Sequence, residues 1–347
     1  MIYFCIIEKD DMRKKILITG AGGFIGSFIV EEALARNYDT WAGIRNSTNR
    51  EYLQDNRIHF IDLQYSNKSN LKKQLLEKKN TFGKWDYIIW NLGATKCRHP
   101  EDFDKINYGL VKIFTETLIE TDTVPEQFIM MSSLGAWGAG NEESYAPICP
   151  TDMPKPETLY GKSKLKAELH LQSLPGFPYV ILRPTGVYGP REKDYFLMIK
   201  SIKWGIDFSV GYKPQALTFI YVKDLVKIMF LAIDKGVKQK SYFISDGAVY
   251  TSSDFRKYVA KALKKHFILP LRLPLWVLKI VSYSVAFCAS LIGKTSTLNP
   301  DKYRIMKQRN WICDISALQK ELGFTADYPL EKGVEECISW YKTAGWL

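Results

Sequence analysis

The stretch from residue 16 to residue 26 limits the possible folds more than any other part of the chain. A short apolar run at 16–19 ends in a turn where Gly20, Gly23 and Gly26 are spaced three apart, and a helical pattern begins at once. A backbone without Cβ atoms can approach a pyrophosphate closely, and the following helix directs free N–H groups at it. The order of strand, glycine turn and helix predicts dinucleotide binding at the first crossover of a doubly wound parallel sheet, with a ligand-free glycine loop as the alternative.

The first half of the chain repeats an alternation of short apolar runs and helical patterns. This alternation is typical of an α/β fold with a parallel sheet and crossover helices. We predict strands at 15–19, 40–45, 57–61, 86–91, 126–131 and 178–183. We predict helices at 27–36, 102–120 and 158–173.

After Pro190 the regular alternation fades. Strand-like pieces at 217–222 and 241–245 are mixed there with helical patterns at 223–235 and 252–265. We therefore predict a dinucleotide-binding Rossmann domain at 12–190, to which later strand pieces near 217–245 contribute. Residues 191–347 then form mainly a smaller α+β substrate-binding lobe.

The net charge of +11 calls for an anionic partner or surface, and a nucleotide cofactor, an anionic substrate or a membrane surface would each fit. The lysines are scattered and no nucleic-acid motif is present, so we expect no nucleic-acid partner. Six separated cysteines and four unclustered histidines predict reduced thiols, a cytoplasmic protein and no metal site. Met12 is typical of a start before the first strand, so we base no function on residues 1–11.

The end of the second predicted strand bears on the choice of cofactor. An acidic residue there would bind a free ribose 2′-hydroxyl, whereas an arginine suits a 2′-phosphate. The acid is absent, and Arg45 and Arg50 are present, so the sequence favours NADP over NAD. The alternative is that Arg45 is only a solvated strand end. Asp62, at the end of the third strand, is placed for the adenine edge, but an Asp in a turn is just as often a cap.

Tyr160 and Lys164 are four residues apart and share one face of a predicted helix. A free tyrosine has a pKa of ~10, which is too high for acid–base work near neutrality. The Lys164 ammonium and an oxidised nicotinamide ring would both lower that pKa by favouring the phenolate. Lys164 could also hold the nicotinamide ribose. Because Tyr and Lys often share a helix face for packing and solubility, this spacing alone is a weak signal.

Ser132 and Ser133 follow the apolar run that we predict as the fifth strand. Ligands of parallel sheets bind at the carboxyl ends of the strands. A hydroxyl there can donate a hydrogen bond to a substrate oxygen as charge grows on it, although a serine that caps a turn fits equally well.

The order of these motifs resembles the extended short-chain dehydrogenase/reductase family. The resemblance covers most of the chain: G-A-G-G-F-I-G at 20–26, N-L-G-A at 91–94 where the family usually has H-L-A-A, M-S-S-L-G-A-W-G at 131–138, Y-G-K-S-K at 160–164, R-P-T-G-V-Y-G-P at 183–190, and the closing pattern from Leu322 to Trp340. By that resemblance Ser133, Tyr160 and Lys164 form the catalytic triad, and Asn107 supports the lysine through water. Tyr160 would be the general acid/base for hydride transfer with a nicotinamide. The candidate cofactor-binding residues are Gly20, Gly23, Phe24, Ile25, Gly26, Arg45, Asp62, Leu63, Leu92, Gly93, Ala94, Tyr160, Lys164, Pro184 and Thr185.

The substrate is less well determined by the sequence. Nucleotide-sugar members of the family tend to have an arginine before an I-H-V-x-D segment, where this chain has no arginine at 217–224. Pro184-Thr185 also stands where sugar epimerases often have an asparagine. Phe219 to Val222 is more similar to the 3β-hydroxysteroid dehydrogenase and dihydroflavonol reductase branches, which take apolar ring substrates.

The stretch 271–293 is nearly uncharged, with Lys279 inside it. A helix packed in the second lobe is the simplest interpretation. A lid over an apolar pocket and a peripheral membrane contact with a basic rim at Arg272, Lys279 and Lys294 are the alternatives. A spanning helix needs ~20 apolar residues, so we do not expect a transmembrane segment.

Together these features predict an NADP-linked oxidoreductase that reduces a ketone or oxidises a secondary alcohol on a hydrophobic or cyclic small molecule. A nucleotide-sugar epimerase or dehydratase with the same triad is the alternative. A cofactor-binding regulator without turnover is an alternative of another class, against which the intact Ser133, Tyr160 and Lys164 argue. The sequence leaves a homodimer open.

Overall fold

The apolar runs of the first half form a parallel sheet, as predicted. The computed structural model describes residues 13–291, 296 and 298–347, so Met12 and residues 1–11 lie outside the described residues. The strands are β1 (Lys15–Thr19), β2 (Asp39–Gly43), β3 (His59–Ile61), β4 (Tyr87–Trp90), β5 (Gln127–Met131), β6 (Tyr179–Pro184), β7 (Gly186–Tyr188), β8 (Ile206–Val210), β9 (Phe219–Tyr221), β10 (Lys240–Ile244) and β11 (Leu269–Leu273).

The helices flank the sheet and continue through the later part of the chain. They are α1 (Phe24–Ala35), α2 (Lys68–Phe82), α3 (Glu101–Phe103), α4 (Leu110–Glu120), α5 (Leu159–Ser173), α6 (Lys193–Lys203), α7 (Val222–Asp234), α8 (Ser252–Leu263), α9 (Leu275–Leu291), α10 (Pro300–Lys307), α11 (Ser316–Leu322) and α12 (Leu330–Thr343). A π-helical segment, Asp104–Gly109, joins α3 to α4. The predicted helix at 102–120 is therefore a continuous helical run with one wide turn inside it.

Among the described residues, seven parallel strands form the main sheet in the order β10-β6-β5-β4-β1-β2-β3. Apart from β10, this is the doubly wound order, in which the chain reverses direction across the sheet next to β1. Side chains alternate between the two faces of a strand, so Ile16 and Ile18 belong to one core cluster and Leu17 to another. Every residue of β5 is buried, as a central strand covered on both faces requires. The predicted fold class is confirmed.

The late strand pieces divide between two sheets. The predicted piece at 241–245 is β10, which pairs with β6 and extends the main sheet. The piece at 217–222 is β9, which instead pairs with β7 in a separate two-stranded sheet. The division of the chain at residue 190 stays a prediction. A third core cluster, which includes Tyr188, Tyr221 and Tyr341, lies under these later segments.

The helix α2 is absent from the sequence expectations, for a physical reason. Only Leu71 and Leu75 of its fifteen residues are buried, so its sequence lacks the continuous apolar stripe of a core-facing helix. Its N-terminus is marked instead by Asn67, whose side chain accepts a hydrogen bond from the backbone N–H of Asn70. In the part of the chain that the structure describes, no helix is long and apolar enough to cross a membrane.

Candidate active site

The glycine turn between β1 and α1 requires its glycines. Gly20 has a φ of +65°, in the left-handed region that favours glycine. A Cβ atom on Gly26 would lie 2.2 Å from the carbonyl oxygen of Gly20. Among the described residues, no side chain caps α1 at Gly23, and its first turn has no acidic residue. The N–H groups at the start of α1 are therefore available to an anion such as the diphosphate of a dinucleotide.

The loop after β4 lies against the glycine turn. The hydroxyl oxygen of Thr19 accepts hydrogen bonds from the backbone N–H groups of Asn91 and Leu92, both at 3.1 Å. A Cβ atom on Gly20 would lie 3.1 Å from the Cα atom of Leu92, so the two backbone segments are close together. The predicted cofactor segment 92–94 thus lies at the carboxyl edge of the sheet, beside the glycine turn.

Arg45, Asp62 and Leu63 follow the ends of the neighbouring strands β2 and β3. Arg45 is exposed and forms no ion pair with a described residue. The Asp62 carboxylate accepts a hydrogen bond from the backbone N–H of Asn46 at 3.2 Å, which fixes the loop that carries Arg45. Leu63 is buried in the core on that side of the sheet. Arg45 is thus able to reach a ligand, whereas one carboxylate oxygen of Asp62 is already hydrogen-bonded to the loop that carries Arg45.

The side chains of Ser133 and Tyr160 lie next to each other although they come from separate elements. Ser133 follows the end of β5, and its hydroxyl oxygen accepts a hydrogen bond from the backbone N–H of Gly135 at 3.1 Å. Tyr160 lies in the first turn of α5. Burial raises the pKa of Tyr160 to about 12, and the neighbouring Ser133 hydroxyl opposes that rise. The structure therefore brings two predicted triad hydroxyls together at the carboxyl end of the sheet.

Lys164 lies one turn after Tyr160 and is 5% exposed. Its ammonium group donates a hydrogen bond to the carbonyl oxygen of Met131 at 2.8 Å and lies 6.0 Å from the centre of the Tyr160 ring. Burial lowers the pKa of Lys164 to about 8, and the nearby Glu168 carboxylate opposes this change. A Cβ atom on Gly93 would lie 2.9 Å from the Lys164 nitrogen, so the glycine leaves room for the ammonium group.

We expected the pKa of Tyr160 to be lowered, but the net effect of the protein's own groups is to raise it. Burial is the largest influence on this pKa and raises it. The Lys164 ammonium donates its hydrogen bond to the Met131 carbonyl and is not among the causes that shift the Tyr160 pKa. Any lowering must therefore come from charge that is added to the site.

Asn107 is held by the wide turn of the helix. It lies in the π-helical segment 104–109 and is 1% exposed. Its amide nitrogen donates to the carbonyl oxygen of Ala94 and to the hydroxyl of Ser163, both at 3.0 Å, and its amide oxygen accepts from the Ala94 N–H at 2.8 Å. The support of Lys164 by Asn107 through water stays a prediction, and both side chains lie beside Gly93. The direct contacts of Asn107 join the loop after β4 to α5, and π turns of this kind often occur at functional sites.

A buried ion pair below Lys164 was missed from the sequence. The Glu168 carboxylate accepts two hydrogen bonds from the Arg183 guanidinium, at 2.9 and 2.8 Å, and one from the hydroxyl of Ser132. Glu168 and Arg183 are 1% and 4% exposed. The i, i+4 spacing of Lys164 and Glu168 on α5 is visible in the sequence, but Arg183, the ion-pair partner of Glu168, lies on β6. This network fixes the lower part of α5 against β5 and β6.

The start of α5 is also held by a distant residue. Thr158 caps the helix by accepting a hydrogen bond from the Gly161 N–H at 2.9 Å. The Asp301 carboxylate, from α10, accepts hydrogen bonds from the backbone N–H groups of Leu159 at 2.9 Å and Tyr160 at 3.3 Å. No local sequence pattern connects Asp301 to Tyr160.

Pro184 and Thr185 have structural partners. Pro184 ends β6 and is buried. The Thr185 hydroxyl donates to the carbonyl oxygen of Thr218 at 2.7 Å, and its backbone N–H donates to the carbonyl oxygen of Ile244 at 3.0 Å. Thr185 therefore connects the strand beside the predicted nicotinamide site to the segment before β9.

Arg309 is a buried cation that the sequence interpretation overlooked. It is 3% exposed, and one guanidinium nitrogen donates to the carbonyl oxygen of Val210 at 2.7 Å. The other terminal nitrogen has no hydrogen-bond partner among the described residues. The Arg309 carbonyl accepts from the N–H of Ala216, directly before the segment 217–224 that lacks an arginine of its own. The Arg309 backbone therefore lies beside this segment, and its guanidinium lies at the end of β8, next to Val210 and Gly211.

The residues of the carboxyl edge fit a nicotinamide dinucleotide. The glycine turn and the first helical turn, with the half-buried Phe24 and Ile25, leave an uncapped helix N-terminus for a diphosphate. Tyr160, Ser133 and Lys164 lie beside the loop after β4, farther along the same edge. Among the described residues, no group of three His, Cys, Asp or Glu side chains could hold a metal ion.

Comparison with known proteins agrees with this site. The model of the NAD dependent epimerase/dehydratase family matches residues 16–245. UDP-glucose 4-epimerase of Vibrio cholerae is 24% identical over 339 residues, which covers 94% of this chain and 94% of that protein. Sterol-4-alpha-carboxylate 3-dehydrogenase, decarboxylating, of Dictyostelium discoideum is 22% identical over 341 residues, covering 93% of this chain and 99% of that protein.

Among solved structures, UDP-glucose 4-epimerase of Thermotoga maritima with UDP-glucose has the same fold. It matches with a TM-score of 0.73 and 20% identity, covering 95% of this chain and 99% of that one. The family match spans the glycine turn, the loop after β4, and the residues Ser133, Tyr160 and Lys164. The chain therefore belongs to the NAD dependent epimerase/dehydratase family of nicotinamide-cofactor enzymes, within the extended short-chain dehydrogenases/reductases.

Proposed function

We propose that the protein is an oxidoreductase that transfers a hydride to or from a carbon that bears a secondary alcohol or ketone on a hydrophobic or cyclic substrate. The observation that supports this most is the proximity of the Ser133 and Tyr160 hydroxyls, with the buried Lys164 one turn away. Two hydroxyls that converge at the carboxyl edge of a parallel sheet can bind one substrate oxygen between them.

The roles of the residues follow from their chemistry. Tyr160 exchanges a proton with the substrate oxygen, and Ser133 donates a hydrogen bond to that oxygen as charge grows on it. Lys164, one turn from Tyr160, could hold the nicotinamide ribose, and the positive charge of an oxidised nicotinamide ring would favour the Tyr160 phenolate. Asn107 positions the loop after β4. A bound nicotinamide dinucleotide supplies or accepts the hydride, with its diphosphate held by the glycine turn and the N-terminus of α1.

NADP is the cofactor that the strand ends favour. Arg45 is exposed at the end of β2 and forms no ion pair with a described residue. No acidic residue stands at that position to bind a free 2′-hydroxyl. A 2′-phosphate would give Arg45 a charged partner.

A hydrophobic substrate is favoured by the character of the second lobe. The strand β11 and the helix α9 carry many exposed apolar side chains, among them Leu271 and Trp276. The similarity to a sterol carboxylate dehydrogenase, over nearly the whole length of both chains, agrees with an apolar ring substrate.

A nucleotide-sugar epimerase or dehydratase is the second candidate, and Arg309 favours it. A buried guanidinium nitrogen without a partner is costly, so Arg309 would gain from contact with an anion. The diphosphate of a nucleotide sugar is such an anion, and the similarity to UDP-glucose 4-epimerase also supports this candidate. The same Tyr160 and Ser133 would then oxidise and re-reduce a sugar carbon.

A substrate panel separates the two candidates. The purified protein is incubated with NADPH or NADH and with ketosteroids, flavanonols, or UDP- and dTDP-sugars, and both cofactor oxidation and sugar products are followed. We expect NADPH oxidation with an apolar ketone, reduced about 100-fold or more in Tyr160→Phe and little changed in Tyr179→Phe, a matched tyrosine at the start of β6. Turnover of nucleotide sugars alone would contradict the first proposal.

Arg309 provides an independent arm of this test. If the substrate is apolar, Arg309→Lys leaves KM for the ketone within about threefold, since no anion contacts the guanidinium. If the substrate is a nucleotide sugar, the same change raises KM by about tenfold or more, because a bidentate phosphate contact is lost. Tight NADPH binding without any turnover, unchanged in Tyr160→Phe, would contradict both candidates.

A further inference from the structure

The helix α9 presents an apolar stripe to solvent instead of to the core. Trp276, Ile280, Tyr283 and Leu291 are 67%, 57%, 47% and 70% exposed. Their spacing of four, three and eight residues places them on one face of a helix. Of the side chains described in α9, only Leu278 and Ser282 are buried, so the helix rests on the lobe along a narrow line.

The strand next to α9 enlarges this surface. Leu269 and Leu271 of β11 are exposed, and Leu271 is the register partner of Phe208 on β8, which is 50% exposed. Phe267, directly before β11, is 77% exposed. Soluble monomers rarely expose this many large apolar side chains on elements that follow each other in the chain, so such a surface indicates a partner. We call the set Phe208, Phe267, Leu269, Leu271, Trp276, Ile280, Tyr283 and Leu291 the apolar surface.

The sequence segment that contributes most of the apolar surface carries charge of one sign. Between Asp254 and Asp301 the sequence has no acidic residue but has eight Lys and Arg residues. Arg272 and Lys279, which lie within the surface itself, are exposed and form no ion pair with a described residue. Lys264 and Lys265 are exposed three and two residues before Phe267. Exposed apolar groups surrounded by unpaired cations match an anionic lipid headgroup layer above hydrocarbon.

We propose that the apolar surface docks on an anionic lipid bilayer, with α9 lying in the plane of the interface. Trp276 and Tyr283 are residue types that favour the headgroup level, while Ile280 and Leu291 would enter the acyl boundary. Lys279 and Arg272 reach back to the lipid phosphates along their aliphatic stems. A second copy of the chain is a poorer occupant, because it would bring two unpaired cationic rims together.

The docking surface is connected to the candidate active site. The helix α9 packs against α10, and α10 carries Asp301, whose carboxylate accepts the backbone N–H of Tyr160. The side of the protein that meets the bilayer is thus next to the element that starts the Tyr160 helix. This proposal does not depend on which substrate the site takes.

Vesicle co-sedimentation of the full chain tests the proposal. We expect binding to vesicles of phosphatidylglycerol, much weaker binding to vesicles of phosphatidylcholine, and a loss of binding as salt is added. The double variant Trp276→Asp/Ile280→Asp should bind phosphatidylglycerol vesicles at least about tenfold more weakly, since it puts acidic groups in the interface. The matched control is Leu76→Asp, at an exposed leucine on α2, which should bind like the original protein.

A second pair of variants keeps the test independent of folding. Arg272→Gln/Lys279→Gln removes two exposed charges and should weaken binding to phosphatidylglycerol by about tenfold, against little change for Lys72→Gln/Lys73→Gln on α2. Equal binding to both kinds of vesicle, or no binding to either, overturns the proposal. So does a concentration-dependent dimer in analytical ultracentrifugation that Trp276→Asp/Ile280→Asp dissociates while vesicle binding is absent. Loss of binding in Leu76→Asp would also contradict it.

Discussion

Asp301 accepts a hydrogen bond from the backbone N–H of Tyr160, at 3.3 Å, although 141 residues separate them. The same carboxylate oxygen accepts the N–H of Leu159 at 2.9 Å. An acceptor with negative charge is favourable at a helix N-terminus, where the N–H groups are unpaired and the helix dipole is positive. The first turn of α5, and with it the Tyr160 side chain, is therefore held partly by the second lobe.

Removal of the Asp301 carboxylate should loosen this turn. We expect Asp301→Ala to lower the free energy of unfolding by about 1–2 kcal/mol and to lower kcat, because Tyr160 loses its fixed position. Asp301→Asn should retain most of both properties, since an amide oxygen can still accept the N–H groups. Urea unfolding and steady-state kinetics measure the two effects. Equal losses in the two variants would show that capping is not the role of Asp301.

The glycine turn gives a prediction about cofactor binding. A Cβ atom on Gly26 would lie 2.2 Å from the carbonyl oxygen of Gly20, so Gly26→Ala must displace the turn. We expect NADPH affinity, measured by nucleotide fluorescence, to fall by about tenfold or more. Gly109→Ala is the control, because its Cβ would meet nothing closer than 3.6 Å. Unchanged affinity in Gly26→Ala would argue against binding at this turn.

Arg45 should discriminate between the two nicotinamide dinucleotides. We expect Arg45→Asp to weaken NADPH binding about tenfold more than NADH binding, because a charged hydrogen bond to the 2′-phosphate is replaced by repulsion. Calorimetric titration with both nucleotides measures the ratio. Arg57→Asp is the control, since Arg57 is already paired with Asp55 at 2.7 Å. If Arg45→Asp weakens both nucleotides equally, Arg45 does not bind the 2′-phosphate.

The buried Lys164 should lower the free energy of unfolding, although the candidate active site uses it. Its pKa is lowered to about 8 in the folded protein, so the unfolded chain holds this proton more tightly. The resulting destabilisation is complete below about pH 8 and is relieved as the pH rises towards the ordinary lysine value of ~10.4. We therefore expect Lys164→Met to raise the free energy of unfolding at pH 7 by at most about 3 kcal/mol, while hydride transfer is lost.

The pH dependence and a control on the same helix make this test specific. The advantage of Lys164→Met over the original protein should shrink between about pH 8 and pH 10 in denaturant titrations. Lys162→Met, at an exposed lysine of α5, should change stability by less than about 0.5 kcal/mol at both ends of this range. A Lys164→Met protein that is less stable at pH 7, or whose difference is independent of pH, would contradict the prediction.

The parts of the fold that the sequence predicts correctly are those with strong local patterns. The strands β1 and β5 are short apolar runs buried on both faces, and their observed bounds differ from the predicted ones by at most one residue. The predicted helix at 158–173 is α5, which runs over Leu159–Ser173. The polar helix α2 was missed because it buries too few side chains to show a periodic pattern.

In the candidate site, too, residues in short local motifs were predicted, whereas residues from distant segments were missed. Ser133, Tyr160 and Lys164 were selected by short motifs, and the structure brings them together. Arg309 and Asp301 were missed because each contacts the backbone of a segment that is distant from it in the chain. The pKa of Tyr160 could not be predicted either, since burial, which raises it, is a property of the packed protein and not of the spacing to Lys164.

The π-helical turn at 104–109 interrupts the regular α-helix and thereby sets the direction of the Asn107 side chain. A π turn accommodates one extra residue in a helix, and each residue of an ordinary helix rotates the next side chain by about 100°. Deleting one residue from this turn would allow regular α-helical hydrogen bonding but would swing Asn107 away from Ala94 and Ser163, the two partners that it joins. We expect such a deletion to leave the helix formed, as circular dichroism would show, and to abolish turnover. The π turn thus rotates Asn107 so that its one amide group bonds to two separate segments of the chain.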